Sequence, residues 1–259
     1  MGADSHPVLV ELGQDMGAKR IAKLISGLLA LFFFNGTGPG SGLAAEYPKE
    51  AVKAMSLAQR HLKAKAFDRA ASVLETYMKE AGEPIPLPAY QILARAWFEQ
   101  NEIETAKKIY EKARKSFPKS QHLLRNLAIL TYETGDLTKA GDLFEQLFFL
   151  EGSIDLSLLY QSAQIYFQAK EYKKSKKVFA RLLGSKTQIK TEWIRDMISV
   201  CLCLDDLACA EQWTKKLLEK HPGQEKYWDL LARIRLGQKE YKRAAAALEV
   251  ALAMGNAGA

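Results

Sequence analysis

Residues 87–118 read LPAYQILARAWFEQNEIETAKKIYEKARKSFP, and this stretch decides the fold. Apolar residues fall at spacings of three and four on both sides of a polar break, Gln100-Asn101-Glu102. That period belongs to two amphipathic helices joined by a short turn. Just past the break a bulky apolar residue, Ile103, precedes a small one, Ala106, by three positions. The same pairing recurs at Phe67/Ala70, Leu137/Ala140, Tyr172/Ser175, Leu207/Ala210 and Tyr241/Ala244. The small residues stand 36, 34, 35, 35 and 34 apart. A period that steady marks one helix–turn–helix unit copied end to end. Such copies bury their apolar faces by stacking on one another.

On a 34-residue frame the copies start near Ala51, Leu87, Gln121, Leu156, Thr191 and Glu225. Frame position 8 then reads Ala58, Ala94, Ala128, Ala163, Ile198 and Ala232. Small residues at positions 8 and 20 allow the two helices of a copy to approach closely. Position 24 reads Leu74, Tyr110, Phe144, Phe179, Thr214 and Leu248, which fill the space beside them. The chain therefore divides into an N-terminal extension, residues 1–45, and an all-α repeat domain, residues 46–259.

The second copy carries Tyr90, Leu93, Ala94, Trp97, Ala106, Tyr110, Ala113 and Pro118. The sixth opens with Trp228, Leu231 and Ala232, and the fifth ends with Pro222. This pattern resembles the tetratricopeptide repeat, over about 200 of the 259 residues. Ser175 departs from its usual Ala, and Arg235 from its usual Tyr. The resemblance implies a right-handed α-solenoid of about six repeats. It also implies that first helices line a concave surface, with frame positions 2, 5, 9, 12 and 13 facing it. Those positions supply Gln91, Arg95, Phe98, Arg125, Tyr132, Tyr160, Gln164, Phe167, Arg195 and Arg233. Arginine pairs with carboxylates in bidentate fashion, and aromatic rings bury area at low entropic cost. The expected partner is a protein, bound as an extended peptide or a helix bearing acidic residues. For the aromatic stripe at position 12, packing against neighbouring repeats is the alternative role. Arg95 and Asn126 stand near the positions that the family uses to clamp a terminal carboxylate, but the set is incomplete.

The front end has a different composition. Lys19, Arg20 and Lys23 precede an apolar run, Leu24 to Phe34, then a Gly/Ser-rich segment and Leu43-Ala44-Ala45. That succession reads as a secretory signal peptide cleaved near Ala45. The expected location is the periplasm, with an uncleaved inner-membrane anchor as the alternative. Met16 is an alternative start. Residues 1–45 carry three basic and three acidic side chains, so the +7 net charge resides wholly in the repeats. A moderate basic excess favours acidic partners or anionic surfaces and does not call for nucleic acid.

Signs of chemistry are scarce. His6, His61, His122 and His221 have no metal-ligand spacing, and no Gly-rich phosphate loop or nucleophile turn stands out. Neither an enzyme nor a cofactor is expected. Three cysteines, Cys201, Cys203 and Cys209, share the fifth copy. A Cys203–Cys209 bridge across the hairpin is the candidate disulfide, with Cys201 read as a small core residue. Lys170, Lys173, Lys174, Lys176, Lys177 and Arg181 form a basic cluster, read as a solvated face, with a membrane-surface contact as the less favoured alternative. The last helix, rich in Ala with Leu252 and Met254, is expected to pair with a second copy or with the partner. The function these features support is an interaction scaffold in the bacterial cell envelope. The alternatives are an assembly subunit of an envelope machine (TonB-type energy transduction, outer-membrane assembly, pilus or polysaccharide export) docking through its end faces, and a protein that stacks glycans or peptidoglycan on its aromatic side chains.

Overall fold

The structure, a computed structural model, describes residues 9, 47–82, 84–185 and 188–257. The leader signals from Lys19 to Ala45 lie outside the described residues. The described residues contain twelve repeat helices and no strand. They fall into two compact units, whose repeat helices span residues 47–154 and 155–257. The first unit holds three hairpins: α1 (Lys49–Lys63) with α2 (Phe67–Glu80), α3 (Leu87–Glu99) with α4 (Ile103–Ser116), and α5 (Gln121–Glu133) with α6 (Leu137–Leu150). The second holds α7 (Leu156–Gln168) with α8 (Tyr172–Leu183), α9 (Thr191–Cys203) with α10 (Leu207–Lys220), and α11 (Glu225–Gly237) with α12 (Tyr241–Ala257). Five of the six expected repeat starts are the first residue of a first helix; α1 begins two residues earlier, at Lys49.

The small frame positions explain the packing. The residues at position 8 and those at position 20 are all fully buried, and in every copy but the fifth, which carries Ile198, both are small enough for the two helices to approach closely. Ser175, the departure at position 20, donates its hydroxyl to the Ala163 carbonyl at 2.8 Å, which satisfies the buried polar atom across the hairpin. Behind these points, Leu74, Tyr110, Phe144, Phe179 and Thr214 are buried at position 24. Thr214 meets its hydroxyl locally, donating to the Ala210 carbonyl at 2.7 Å.

One turn is used six times. Lys65, Asn101, Gly135, Lys170, Asp205 and Lys239 all occupy frame position 15, and all have positive φ, between 54° and 83°. A left-handed residue stops each first helix and lets the chain fold back. In five copies the next backbone N–H returns to a carbonyl five residues earlier, as in Asp206 to Cys201 at 2.8 Å and Glu240 to Arg235 at 2.9 Å. Only one of the six is glycine, so the tertiary fold imposes this conformation more than the residue type does. Helix starts are capped where the sequence permits: Ser120, Asp136, Asp155 and Asp206 each accept a backbone N–H of the first turn.

Position 11 points towards second helices, and this decides the disulfide. Cys201 at that position bonds Cys209 of α10, with their Cα atoms 5.8 Å apart. The expected Cys203–Cys209 bridge is therefore corrected. Two residues along a helix is a rotation of about 200°, which carries Cys203 to the other side of α9. Cys203 keeps a half-buried thiol outside the disulfide. Arg235, the other departure at position 11, also reaches the second helix behind it. Its Nε donates to Glu211 Oε1 of α10 at 3.2 Å.

Candidate functional site

The two units present their first-helix faces separately. In the first, Gln91, Arg95 and Phe98 of α3 sit at i, i+4 and i+7, hence on one face, with Arg95 exposed and the others half-buried. Arg95 pairs with Glu99 one turn on, Nε to Oε1 at 3.6 Å. Arg125 of α5 makes a tighter pair, donating to Glu151 at 2.7 Å from a part-buried position. Glu151 lies just past α6, so this pair ties the two ends of the third hairpin together. Arg125 is thus committed within the chain, contrary to its expected freedom for a partner. Asn126 is likewise occupied, donating to Tyr110 Oη at 2.9 Å. Burial pushes the Tyr110 hydroxyl up to about 12 despite that bond and the nearby Arg95, so Tyr110 stays neutral. Burial also raises the Glu133 carboxyl at the end of α5.

The aromatic stripe divides. Tyr132, Phe167 and Leu202 are buried, and Phe167 meets Tyr172 edge-on at 5.4 Å. These three pack the repeats and are closed to a ligand. Leu62 and Phe98 are half-buried, and Leu236 is exposed. For Phe167 the cover comes from its own hairpin, through Tyr172 at the start of α8.

The second unit holds a polar cluster on the same face. Tyr160 of α7 donates to Asp196 Oδ2 of α9 at 2.8 Å, and Gln164 Nε2 donates to the same oxygen at 3.2 Å. Asp196 is only 5% exposed. The Tyr160 ring lies against Trp193 at 6.1 Å and Phe179 at 6.2 Å, which fixes the hydroxyl. Lys190 sits over the Trp193 ring at 5.3 Å. Three buried polar atoms here have no hydrogen-bond partner: Arg195 Nε, Gln164 Oε1 and Gln161 Oε1. Arg195 thus differs from Arg95, Arg125 and Arg233; the last donates to Asp229 at 2.8 Å on exposed helix surface. Of the predicted residues, the structure joins Tyr160 and Gln164 through Asp196, and Arg195 is the next residue along α9. Asp196 itself sits at frame position 6, outside the positions the resemblance marks. Its signal was the one acid in a largely apolar run, Trp193 to Cys203, with Arg195 beside it.

The remaining charges are local. Asp206 is lowered by its hydrogen bond with Lys176, at 2.5 Å, against an opposing effect of burial. Burial alone would raise Glu211, but bonds from Lys215, Arg235 and Gln238 together bring it below its ordinary value. In the basic cluster of α8, Lys176 is held by Asp206 and Lys174 lies over Tyr166 at 5.2 Å. No group of three or more His, Cys, Asp and Glu able to hold a metal occurs among the described residues. None of the described helices is long and apolar enough to cross a membrane.

Residues 92–148 match the family model for the tetratricopeptide repeat. That stretch is a tetratricopeptide-repeat segment. No curated protein matches it. Solved structures similar to it include a tetratricopeptide repeat protein from Parabacteroides merdae, at 17% identity and TM-score 0.48, covering 80% of each chain. MamA from Desulfovibrio magneticus, residues 41 to the end, is similar at 14% identity and TM-score 0.45, over 65% of this chain and 94% of that one. YrrB, described as a tetratricopeptide-repeat protein with an unusual peptide-binding site, is similar at 16% identity and TM-score 0.46, over 70% and 90%. The tetratricopeptide repeat is a protein-interaction fold, generally without catalysis of its own.

Proposed function

We propose that this chain is a non-enzymatic scaffold that holds a peptide segment of a partner protein on the first-helix face of its second unit. The observation that carries this is Arg195, half-buried on that face, whose Nε is a donor without an acceptor. Leaving such an atom unmet costs about 1–3 kcal/mol. An extended peptide offers the guanidinium a carbonyl or carboxylate. The charge on Arg195 favours an acidic residue in that segment. Buried Tyr132 and Phe167 remove two ring faces that a glycan would need, so the peptide reading is favoured over stacking on sugars.

The scaffold works in the cell envelope on this reading, exported by the leader pattern and cleaved near Ala45. The Cys201–Cys209 disulfide supports it, because such bonds persist in oxidising compartments. An assembly role through α12 is the second reading. Leu252, 65% exposed on the same helix face as exposed Ala245, favours it.

The test is capture of partners from envelope extract by wild type and by Arg195→Ala, followed by their identification. The variant should keep its circular dichroism and lose the partner. Identical capture by both proteins overturns the site assignment. N-terminal sequencing of the protein from an envelope fraction tests export; an intact leader on cytosolic protein would contradict it.

A further inference from the structure

A second concave feature lies in the first unit, away from the first-helix face. It is a groove of about 290 Å³ bounded by Glu75, Met78 and Lys79 of α2, Tyr90 and Leu93 of α3, and Ile109 and Lys112 of α4. Tyr90 and Leu93 form its floor and are buried; Met78 and Ile109 are half-buried walls. On α3 the floor residues stand about 130° round the helix axis from Gln91, Arg95 and Phe98. The groove is therefore not part of the first-helix face and opens between two successive second helices. Glu75 on its rim accepts from Trp97 Nε1 at 3.1 Å. That bond occupies the one carboxylate at the rim. Lys79 and Lys112 are exposed and form no ion pair among the described residues. Lys108 and Lys115 extend the rim along α4, at i−4 and i+3 from Lys112, which is one helix face. By contrast the acids of α4 are engaged, Glu104 with Lys107 and Glu111 with Lys139.

We propose that this groove is a docking site for a partner protein segment that presents one apolar side chain flanked by carboxylates. Its volume, about 290 Å³, falls just under the range of small-molecule pockets and suits a single anchoring side chain. Met78 gives the wall an unbranched side chain that adapts to the shape of the anchor. The lysines then meet acids on either side of the anchor, which gives the segment its sign and the encounter its rate. The site is independent of the Arg195 face and survives if that reading fails.

The experiment is an NMR titration of the full chain, labelled at methionine methyls and tryptophan indoles. Three blocked pentapeptides serve as probes: Glu-Asp-Leu-Glu-Asp, the same peptide with Ser for Leu, and Lys-Lys-Leu-Lys-Lys. The acidic leucine peptide should shift the Met78 methyl and the Trp97 indole, and bind at least about tenfold more tightly than the other two, a gap of about 1.4 kcal/mol. Lys79→Glu with Lys112→Glu, both at exposed positions, should weaken it about tenfold while leaving the spectrum folded. Ile109→Arg should block the groove. Equal binding of the serine peptide, shifts that avoid Met78 and Trp97, or unchanged affinity in the charge-reversed variant each overturn the proposal.

Discussion

Tyr160→Phe isolates one hydrogen bond at the heart of the second unit. The ring stays, with its contacts to Trp193 at 6.1 Å and Phe179 at 6.2 Å, and only the hydroxyl is lost. Asp196, 5% exposed, then keeps a single donor of the pair, Gln164 Nε2 at 3.2 Å. A hydrogen bond to a buried carboxyl group is worth about 1.5–3 kcal/mol, and little water can take its place. We expect a loss of about 2 kcal/mol, equivalent to about 4–8 °C in Tm for a chain of this size. Urea unfolding followed by circular dichroism and by tryptophan fluorescence measures it, with unchanged slope as the sign that the native state is intact. The second arm is Asp196→Ala, which strands both the Tyr160 hydroxyl and the Gln164 amide. Combining the two changes removes one stranded donor, so the double variant should be more stable than the sum of the single losses by about 1 kcal/mol or more. A Tyr160→Phe effect below about 0.5 kcal/mol, or strict additivity, would show that the bond does not hold these helices together.

Three further outcomes follow from the same geometry. Burial raises the Cys203 thiol to about 11 against the opposing bond with Tyr172, so its alkylation rate should climb through pH 10; a plateau near the free-cysteine range, about 8.5, would refute this. Asp206 is held below its ordinary value chiefly by Lys176, so its contribution is present above the unfolded carboxyl range, about pH 4, and is lost as pH falls through the lower folded value. Lys176→Ala should flatten that acid limb by under about 1 kcal/mol because both side chains are partly exposed; an unchanged acid melting profile would count against the pair. Lys239, left-handed at φ 62° and exposed, should become more favourable as glycine by about 0.5–1 kcal/mol, read as a rise in Tm; a fall would mean the Lys239 side chain is needed.

The sequence by itself determined the repeat. Helical periodicity and the small residues at positions 8 and 20 are local signals, legible because each copy repeats the same steric demand. Five of six helix starts were readable for that reason. The basis of the disulfide was half legible: three cysteines in one hairpin were plain, but the choice of Cys201 over Cys203 depends on which side of α9 faces α10. Ser175 and Arg235 looked like departures and proved to be substitutions that the neighbouring helix satisfies. Only the tertiary structure decided which groove residues are free. Arg125 finds Glu151, 26 residues on, and Tyr160 finds Asp196, 36 residues on. The first pair meets because a hairpin brings its own two ends together, the second because successive hairpins stack, and nothing in local spacing records either. Position 12 looked alike in every copy, yet Tyr132 is buried and Leu236 is exposed. A residue's own sequence fixes its helix face, and only the tertiary packing around it fixes whether that face is core or surface.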